Sequence, residues 1–156
     1  MIEKGVNMLY ETKGDIVTGN FNFFVQQVNC KGVMGAGLAK QIRDKYPAVY
    51  YDYINAIKYE NATLGHVLLS PANGRICVCL FSQYGYGRDK RYTDYEAFSK
   101  CLTALQRMIS DYPAEYTIAF PYGIGCGLAG GDWNIIRPML EQFSENVKQK
   151  VYIVMK

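Results

Sequence analysis

The sequence contains few of the residues that build metal sites, with one histidine and five cysteines among 156 residues. No two cysteines have the CxxC spacing of a structural zinc site, and His66 has no ligating partner close to it in the sequence. We therefore predict neither a metal site nor a cofactor.

Long hydrophobic runs are also absent, since the longest apolar stretches span only a few residues. A membrane-spanning helix is therefore excluded, and the N-terminal segment lacks the apolar core of a signal peptide. We expect a cytoplasmic protein with reduced cysteines and no membrane contact. The net charge of +3 is too small to indicate a nucleic-acid-binding protein by itself.

The sequence does contain an ordinary apolar fraction of 49%, together with 15 glycines and 14 tyrosines. A chain of this length accommodates one domain, and we expect residues 1–156 to form a single monomeric unit. Strand-like runs alternate with segments of helical periodicity along the whole chain. This alternation predicts a three-layer α/β domain with a mostly parallel or mixed sheet.

The predicted elements follow the order β-β-α-α-β-β-α-β-α-β. The predicted strands are Asn7–Lys13, Phe23–Val28, Gly65–Ser70, Arg75–Ser82, Tyr116–Phe120 and Val151–Met155. The predicted helices are Ala36–Tyr46, Pro47 to about Tyr59, Thr93 to Ile109, and Trp133 to about Val147. The third begins with a capping box formed by Thr93 and Glu96, and Asp132 caps the fourth. The sequence of residues 71–74, Pro-Ala-Asn-Gly, predicts a turn.

Glycine clusters in two loops, each between a predicted strand and a predicted helix. The loops contain Gly32, Gly35 and Gly37, and Gly123, Gly125, Gly127, Gly130 and Gly131. Such junctions present backbone N–H groups at a helix N-terminus, where an anion is favoured. Glycines that only form tight turns are the alternative, but two such loops favour the two sides of a diphosphate site.

The ligand class is narrowed by motifs that are missing. No GxxxxGK[ST] sequence occurs, which excludes a P-loop nucleotide site. The first loop lacks the third glycine of a dinucleotide fingerprint, and no acidic residue closes a following strand. A nucleotide diphosphate held by backbone groups alone fits the pattern better.

Three motifs occur in a characteristic order along the chain. They are Gly14-Asp15-Ile16, the run from Val28-Asn29 into Gly32–Ala39, and Gly123–Leu128. Together they resemble the macrodomain family of the ADP-ribose 1″-phosphate processing type. The most similar subgroup contains the terminal ADP-ribose glycohydrolases and the DNA ADP-ribosyl glycohydrolase antitoxins. The resemblance covers essentially the whole chain and implies a three-layer α/β/α fold around a mixed six-stranded sheet.

The resemblance also implies a pocket for ADP-ribose. Asp15 would accept a hydrogen bond from the adenine amino group, and the Ile16 N–H would reach the adenine ring. The remaining ligand-binding residues would be Gly32, Val33, Met34, Gly35 and Gly37 in the first loop and Gly123, Ile124, Gly125, Cys126, Gly127 and Leu128 in the second. Tyr122 and Phe81 are candidate pocket walls, or else core residues.

Two residues are candidates for catalysis. Asn29 would lie beside the distal ribose and bind its hydroxyls or a water; alternatively, it only holds the loop that follows its strand. Asp132 matches an aspartate that precedes tryptophan in the antitoxin group. It would deprotonate a water that attacks the anomeric carbon, or serve only as a helix N-cap.

Two positions depart from the catalytic pattern of these relatives. Ala129 stands where the terminal glycohydrolase has its catalytic aspartate, and no lysine follows the Arg75–Ser82 strand until Lys90. We predict a hydrolase that acts on ADP-ribose 1″-phosphate or on an ADP-ribosylated protein or nucleic acid. A non-catalytic reader of ADP-ribose is the alternative, and a nucleic-acid module that uses residues 88–91 is a third.

The Gln83–Tyr95 segment has no role in the resemblance. It interleaves Arg88, Lys90 and Arg91 with four tyrosines. Such a mixture binds either the modified macromolecule or a terminal phosphate, or it forms a solvated loop with its tyrosines on the sheet edge.

Overall fold

The computed structural model describes residues 9–156, in which six strands and four helices follow the predicted order. The strands are β1 (Leu9–Lys13), β2 (Phe23–Asn29), β3 (Val67–Ala72), β4 (Arg75–Gln83), β5 (Thr117–Pro121) and β6 (Lys150–Met155). The helices are α1 (Gly37–Lys45), α2 (Pro47–Tyr59), α3 (Tyr95–Met108) and α4 (Trp133–Asn146). Residues 7 and 8 of the first predicted strand lie outside the described residues.

The strands form one sheet in the order β1-β6-β5-β2-β4-β3. β3 is antiparallel to β4, and the other neighbouring pairs are parallel. The predicted mixed six-stranded sheet is therefore confirmed. Because the parallel strands point the same way, the loops that follow them meet at one edge of the sheet.

Side chains of β2 alternate between two cores, one on each face of the sheet. Phe23 and Val25 pack in the core that includes α3 and α4, whereas Phe24 and Val28 pack in the core that includes α1 and α2. The alternation follows from the two-residue side-chain period of a strand. It confirms the predicted three-layer α/β/α arrangement.

The site lies where β2 and β5 are neighbours in the sheet. The chain leaves β2 toward β4 through α1 and α2, whereas it leaves β5 toward β6 through α4 on the other face. The two strands pair only at Phe23–Ile118 and Phe24–Ala119. Beyond these pairs β2 and β5 separate, and a crevice opens at this switch point in strand order.

The capping box predicted for α3 is wrong by one residue. Asp94 is the N-cap, and its carboxylate accepts from the Ala97 N–H at 2.9 Å. Thr93 is only 1% exposed, and its backbone forms a β-bridge with Gln83. Its hydroxyl therefore points to a neighbouring loop and not to the helix that follows.

The turn predicted over residues 71–74 is shorter than expected. Pro71 and Ala72 belong to β3, and they pair with Ile76 and Arg75. The turn comprises Asn73 and Gly74, both with positive φ. Pro71 is accommodated because β3 is an edge strand, where a missing N–H donor is tolerated.

Candidate functional site

A cavity of about 760 Å³ lies at the carboxyl ends of β2 and β5. Three segments, one following each of β2, β4 and β5, surround the residues at the end of β2. The cavity is lined by Gln26, Gln27, Val28, Asn29, Val33, Gly35, Ala36, Gly37, Leu38, Ala39, Gln83, Tyr86, Gly87, Arg88, Pro121, Tyr122, Gly123, Ile124, Gly125, Gly127, Leu128 and Ala129. The two glycine loops of the sequence analysis thus face one space.

Asn29 holds the first glycine loop in its folded shape. Its Oδ1 accepts from the Lys31 N–H at 2.9 Å, and its Nδ2 donates to the Val33 carbonyl at 2.8 Å. These bonds close the loop over the end of β2. The loop-holding role considered for Asn29 is therefore present in the structure, and Asn29 also lines the cavity.

Tyr53, on α2, forms hydrogen bonds that hold the same loop in place. Its buried hydroxyl lies 2.6 Å from the Asn29 carbonyl oxygen and 2.7 Å from Oδ1, and it accepts from the Gly32 N–H at 3.1 Å. Burial raises the pKa of this hydroxyl well above its ordinary value, so it stays neutral and donates. The Gly32 N–H is consequently bound within the protein.

The start of α1 presents backbone donors without a competing side chain. Its N-cap is Ala36, which makes no side-chain capping bond, and its first turn contains no acidic residue. Gly35, Ala36 and Gly37 all line the cavity. The N-terminus of α1 therefore offers unshielded N–H groups and the positive end of a helix dipole to an anion.

A network of buried polar groups fixes the second glycine loop. The Thr93 hydroxyl donates to the Gly125 carbonyl at 2.6 Å and accepts from Gln27 Nε2 at 3.0 Å. Gln27 Oε1 accepts from the Ser82 hydroxyl at 2.7 Å. Gln83 Oε1 accepts from the other Gln27 amide hydrogen at 2.8 Å. The loop after β5 is thereby attached to the ends of β2 and β4.

These glutamines were missed in the sequence analysis. Gln26 is 1% exposed and, like Gln27 and Gln83, lines the cavity. The signal was two consecutive amides within the otherwise apolar FFVQQVN strand. Buried amides require partners, and so they mark a strand end at which polar groups converge.

Arg88 and Tyr86 also enter the lining from the segment between β4 and α3. Arg88 contributes a guanidinium group, a planar donor that matches phosphate oxygens. The basic segment noted in the sequence therefore contributes directly to the cavity.

Asp15 and Ile16 follow the carboxyl end of β1 but are outside the cavity lining. They follow β1, which lies beyond β5 and β6 in the strand order. The Asp15 carboxylate accepts from the Val17 N–H at 2.9 Å, which lowers its pKa, and Lys156 Nζ at 3.3 Å adds to this effect. The Ile16 carbonyl accepts from the guanidinium of Arg75.

Of three other predicted residues, two are buried in the core and one lines the cavity. Met34 is fully buried against α1 and α2, and Phe81 is a core residue of the same face. Tyr122 is 51% exposed, lines the cavity, and packs on Trp133 with their ring centroids 4.9 Å apart. The wall role considered for Tyr122 thus agrees with its position, whereas Phe81 belongs to the core.

Cys126 lies within the second loop and Asp132 follows it, but neither residue contributes to the lining. Asp132 caps α4, since its Oδ1 accepts from the Asn134 N–H at 2.8 Å. Burial raises the pKa of the Cys126 thiol to about 11, and the Asp132 carboxylate adds to the shift. The thiol is therefore neutral near pH 7 and a poor nucleophile.

Within residues 9–156, no cluster of three or more histidine, cysteine, aspartate or glutamate side chains is arranged to hold a metal ion. Among the described helices, none has the length and apolar character needed to cross a membrane.

The fold defines the class of the site: a cavity at the switch point of a mixed α/β sheet, lined by two glycine loops and by the N-terminus of a helix. A solved structure of the macrodomain of Mycobacterium tuberculosis DarG is similar, with a TM-score of 0.81 at 21% identity over 94% of this chain and 96% of that chain. A family model described as Macro domain matches residues 25–140. The chain belongs to the Macro domain family, as the motif resemblance predicted.

Two curated relatives are detected by sequence. An ADP-ribose 1″-phosphate phosphatase of Saccharomyces cerevisiae (strain YJM789) is 28% identical, covering 82% of this chain and 87% of that protein. A DNA ADP-ribosyl glycohydrolase of Mycobacterium tuberculosis (strain ATCC 25618 / H37Rv) is 27% identical over 85% of this chain. The match spans only 38% of the glycohydrolase, so that relative is much longer than this chain.

Proposed function

We propose that this protein binds ADP-ribose in the cavity and hydrolyses a bond at the anomeric carbon of its distal ribose. The observation that carries the proposal is the convergence of two glycine loops and the uncapped start of α1 on one space. This arrangement suits a diphosphate, which backbone N–H groups and Arg88 would hold. The names of both curated relatives support the ligand and the hydrolysis.

In this proposal the ligand extends along the edge of the sheet. The adenine would lie toward Asp15 and Ile16 after β1, where a carboxylate selects an amino donor. The diphosphate would cross the ends of β5 and β2, and the distal ribose would lie at Asn29. The second loop would contribute the N–H groups of residues 123–128, including that of Cys126.

Calorimetry with ADP-ribose tests the binding site. We expect wild-type protein to bind, and Asp15→Ala to bind more weakly because the adenine amino group loses its acceptor. Inosine diphosphate ribose, in which an oxygen acceptor replaces that amino group, provides the matched ligand control: wild type should bind it more weakly than ADP-ribose, and Asp15→Ala should lose most of this preference. Absence of heat with wild-type protein would disprove the proposed function as a whole.

For catalysis, we propose that Asp132 activates the attacking water. An asparagine at this position would cap α4 nearly as well as the aspartate, yet it cannot accept a proton. Asp132→Asn should therefore abolish release of phosphate from ADP-ribose 1″-phosphate while the melting temperature stays close to wild type. Normal turnover by Asp132→Asn would exclude Asp132 as the base.

A non-catalytic reader is the second candidate function. It is favoured by Ala129, which lines the cavity where the resemblance to the terminal glycohydrolases implies a catalytic aspartate, and by the placement of Asp132 outside the lining. ADP-ribose binding without turnover of ADP-ribose 1″-phosphate, an ADP-ribosylated peptide or an ADP-ribosylated oligonucleotide would identify this function.

A further inference from the structure

Arg75, the first residue of β4, binds three backbone carbonyls of a single loop. Its Nε donates to the Phe21 carbonyl at 2.7 Å, its Nη1 to the Val17 carbonyl at 2.6 Å, and its Nη2 to the Ile16 carbonyl at 2.8 Å. All three carbonyls belong to residues 14–22, which connect β1 to β2 and which we call the β1–β2 loop. The function proposed above gives Arg75 no role.

The β1–β2 loop packs into the protein, so its partly buried carbonyls need donors from within the protein. The side chains of Ile16 and Val17 are buried in the core that includes α1 and α2. The Arg75 guanidinium lies 4.0 Å from the ring centroid of Phe24, another residue of that core. A guanidinium carries five N–H donors in one plane, which suits it to bind several acceptors at once. Arg75 therefore holds the β1–β2 loop in place.

One peptide group of this loop connects Arg75 to Asp15. The carbonyl of that peptide group belongs to Ile16 and accepts from Arg75 Nη2. Its N–H belongs to Val17 and donates to Asp15 Oδ1 at 2.9 Å. A charged donor on the carbonyl polarises the peptide group, and this strengthens the hydrogen bond that the N–H makes to the carboxylate. The guanidinium thus acts on the Asp15 carboxylate through a single peptide group.

The bond from the Val17 N–H orients the Asp15 carboxylate. Because Oδ1 is held in this way, Oδ2 is the oxygen that remains for a ligand, and the Lys156 ammonium lies 3.3 Å from it. The Lys156 side chain is 72% exposed, and an ion pair this exposed contributes little, so a ligand donor can take its place. The adenine amino group would therefore meet Oδ2 in the direction that the peptide group sets.

We infer that Arg75 is a positioning residue for base recognition, which holds the Ile16 peptide group, and through it Asp15, in the orientation that selects an amino donor. The inference rests on the proposed function, because Asp15 recognises adenine only if ADP-ribose is the ligand. Arg75 is at the amino end of β4 and does not line the cavity, which lies at the carboxyl ends of β2 and β5. Its effect on the ligand is therefore indirect.

The test measures base selectivity as well as stability. Calorimetry gives the affinity of each protein for ADP-ribose, for inosine diphosphate ribose and for ribose 5-diphosphate, which has no base. Arg75→Lys keeps the positive charge but replaces the planar fork of donors with one ammonium group, so it cannot reproduce the three bonds. Arg137→Lys is the matched control, because Arg137 is also half-buried but pairs with Glu11 of β1 at 3.1 Å, outside the loop.

We expect Arg75→Lys to bind ADP-ribose about 10-fold more weakly than wild type, because the carboxylate loses its alignment for one hydrogen bond to the amino group. Its affinity for ribose 5-diphosphate should stay at the wild-type value, since the diphosphate is held elsewhere. The preference for ADP-ribose over inosine diphosphate ribose should therefore decrease. Arg137→Lys should keep the wild-type preference.

A double-mutant cycle tests whether Arg75 acts through Asp15. Adding Arg75→Lys to Asp15→Ala should cost no further affinity for ADP-ribose, since the group that Arg75 positions is already missing. Additive losses would overturn the inference. An Arg75→Lys protein with a lower melting temperature but the wild-type base preference would also overturn it, because Arg75 would then only stabilise the loop.

Tyr46→Phe is a milder second variant that keeps Arg75 in place. The Tyr46 hydroxyl donates to the Val17 carbonyl at 3.3 Å and accepts from Arg75 Nη1 at 3.4 Å. Its removal should lower the base preference in the same direction, by about 2- to 5-fold. A wild-type preference in Tyr46→Phe would overturn the inference where Arg75→Lys does not fold.

Failure of the two proposals can be told apart. If Asp15→Ala loses the base preference but Arg75→Lys keeps it, only the inference about Arg75 is wrong. If wild type binds ADP-ribose without preferring it over inosine diphosphate ribose, Asp15 does not select the base and Arg75 has nothing to position. If wild type binds no ADP-ribose, the proposed function fails and the inference fails with it.

Discussion

Replacing Gly125 by alanine tests whether the buried amide network sets the position of the second glycine loop. Gly125 has a φ of +75°, a region that side chains disfavour. A Cβ at this position would lie 2.9 Å from Gln27 Oε1 and 3.2 Å from Thr93 Oγ1. The added methyl group must therefore displace the two side chains that hold the loop.

The expected loss follows from two contributions. The left-handed backbone costs a non-glycine residue about 1–2 kcal/mol. Displacement of Gln27 weakens its bonds from Ser82 at 2.7 Å and to Thr93 at 3.0 Å, each worth about 0.5–1.5 kcal/mol net. We predict a loss of about 2–5 kcal/mol, which lowers the melting temperature of a domain this size by about 4–20 °C.

Gly127→Ala is the matched control in the same loop. Gly127 lacks a positive φ, and a methyl group added at its Cα would meet no neighbouring atom within 4 Å. Its melting temperature should therefore stay close to that of wild type in the same thermal denaturation experiment. Gly125→Ala and Gly127→Ala with equal melting temperatures would refute the assignment of the network as the element that positions this loop.

Three further predictions concern single side chains. Thr93→Val should lower the free energy of unfolding by only about 1–2 kcal/mol, because the Gly125 carbonyl keeps its bond from the Gly131 N–H at 2.8 Å; Thr93→Ser should restore most of it in urea denaturation, and a Thr93→Val protein as stable as wild type would contradict this. Tyr53→Phe should cost about 1–3 kcal/mol and weaken ADP-ribose binding, because the loop after β2 loses the hydroxyl that fastens it; unchanged stability and affinity would show that Asn29 suffices. Alkylation of Cys126 by iodoacetamide should rise about tenfold per pH unit from pH 7 to pH 10, because burial raises the pKa of this thiol to about 11; a rate that levels off by pH 8 in residue-resolved mass spectrometry would argue against a buried, neutral thiol.

Local patterns in the sequence predicted much of the fold. Periodicity identified the strands and helices of residues 9–156 in their order, and the glycines marked the two loops that line the cavity. Asp132 was recognised as the cap of α4. These features depend on near neighbours in the chain, because helical period, strand alternation and capping are set within a few residues.

The prediction failed where a local rule competed with a distant partner. Thr93 satisfied the spacing of a capping box, but burial beside β4 directs its hydroxyl to Gly125, 32 residues away. Asp94 caps the helix in its place. A buried hydroxyl takes the partner that packing supplies, and sequence spacing contains no information about that partner.

The sequence by itself determined the order of elements, the family motifs and the two loops able to receive an anion. Only the tertiary structure decided that β2 and β5 separate after Phe24, that Gln27 joins three segments at the cavity, and that Lys31 and Tyr84 meet beside it. The physical reason is the range of the interactions. Backbone propensities act between neighbours, whereas a site assembled from three loops depends on which strands lie side by side.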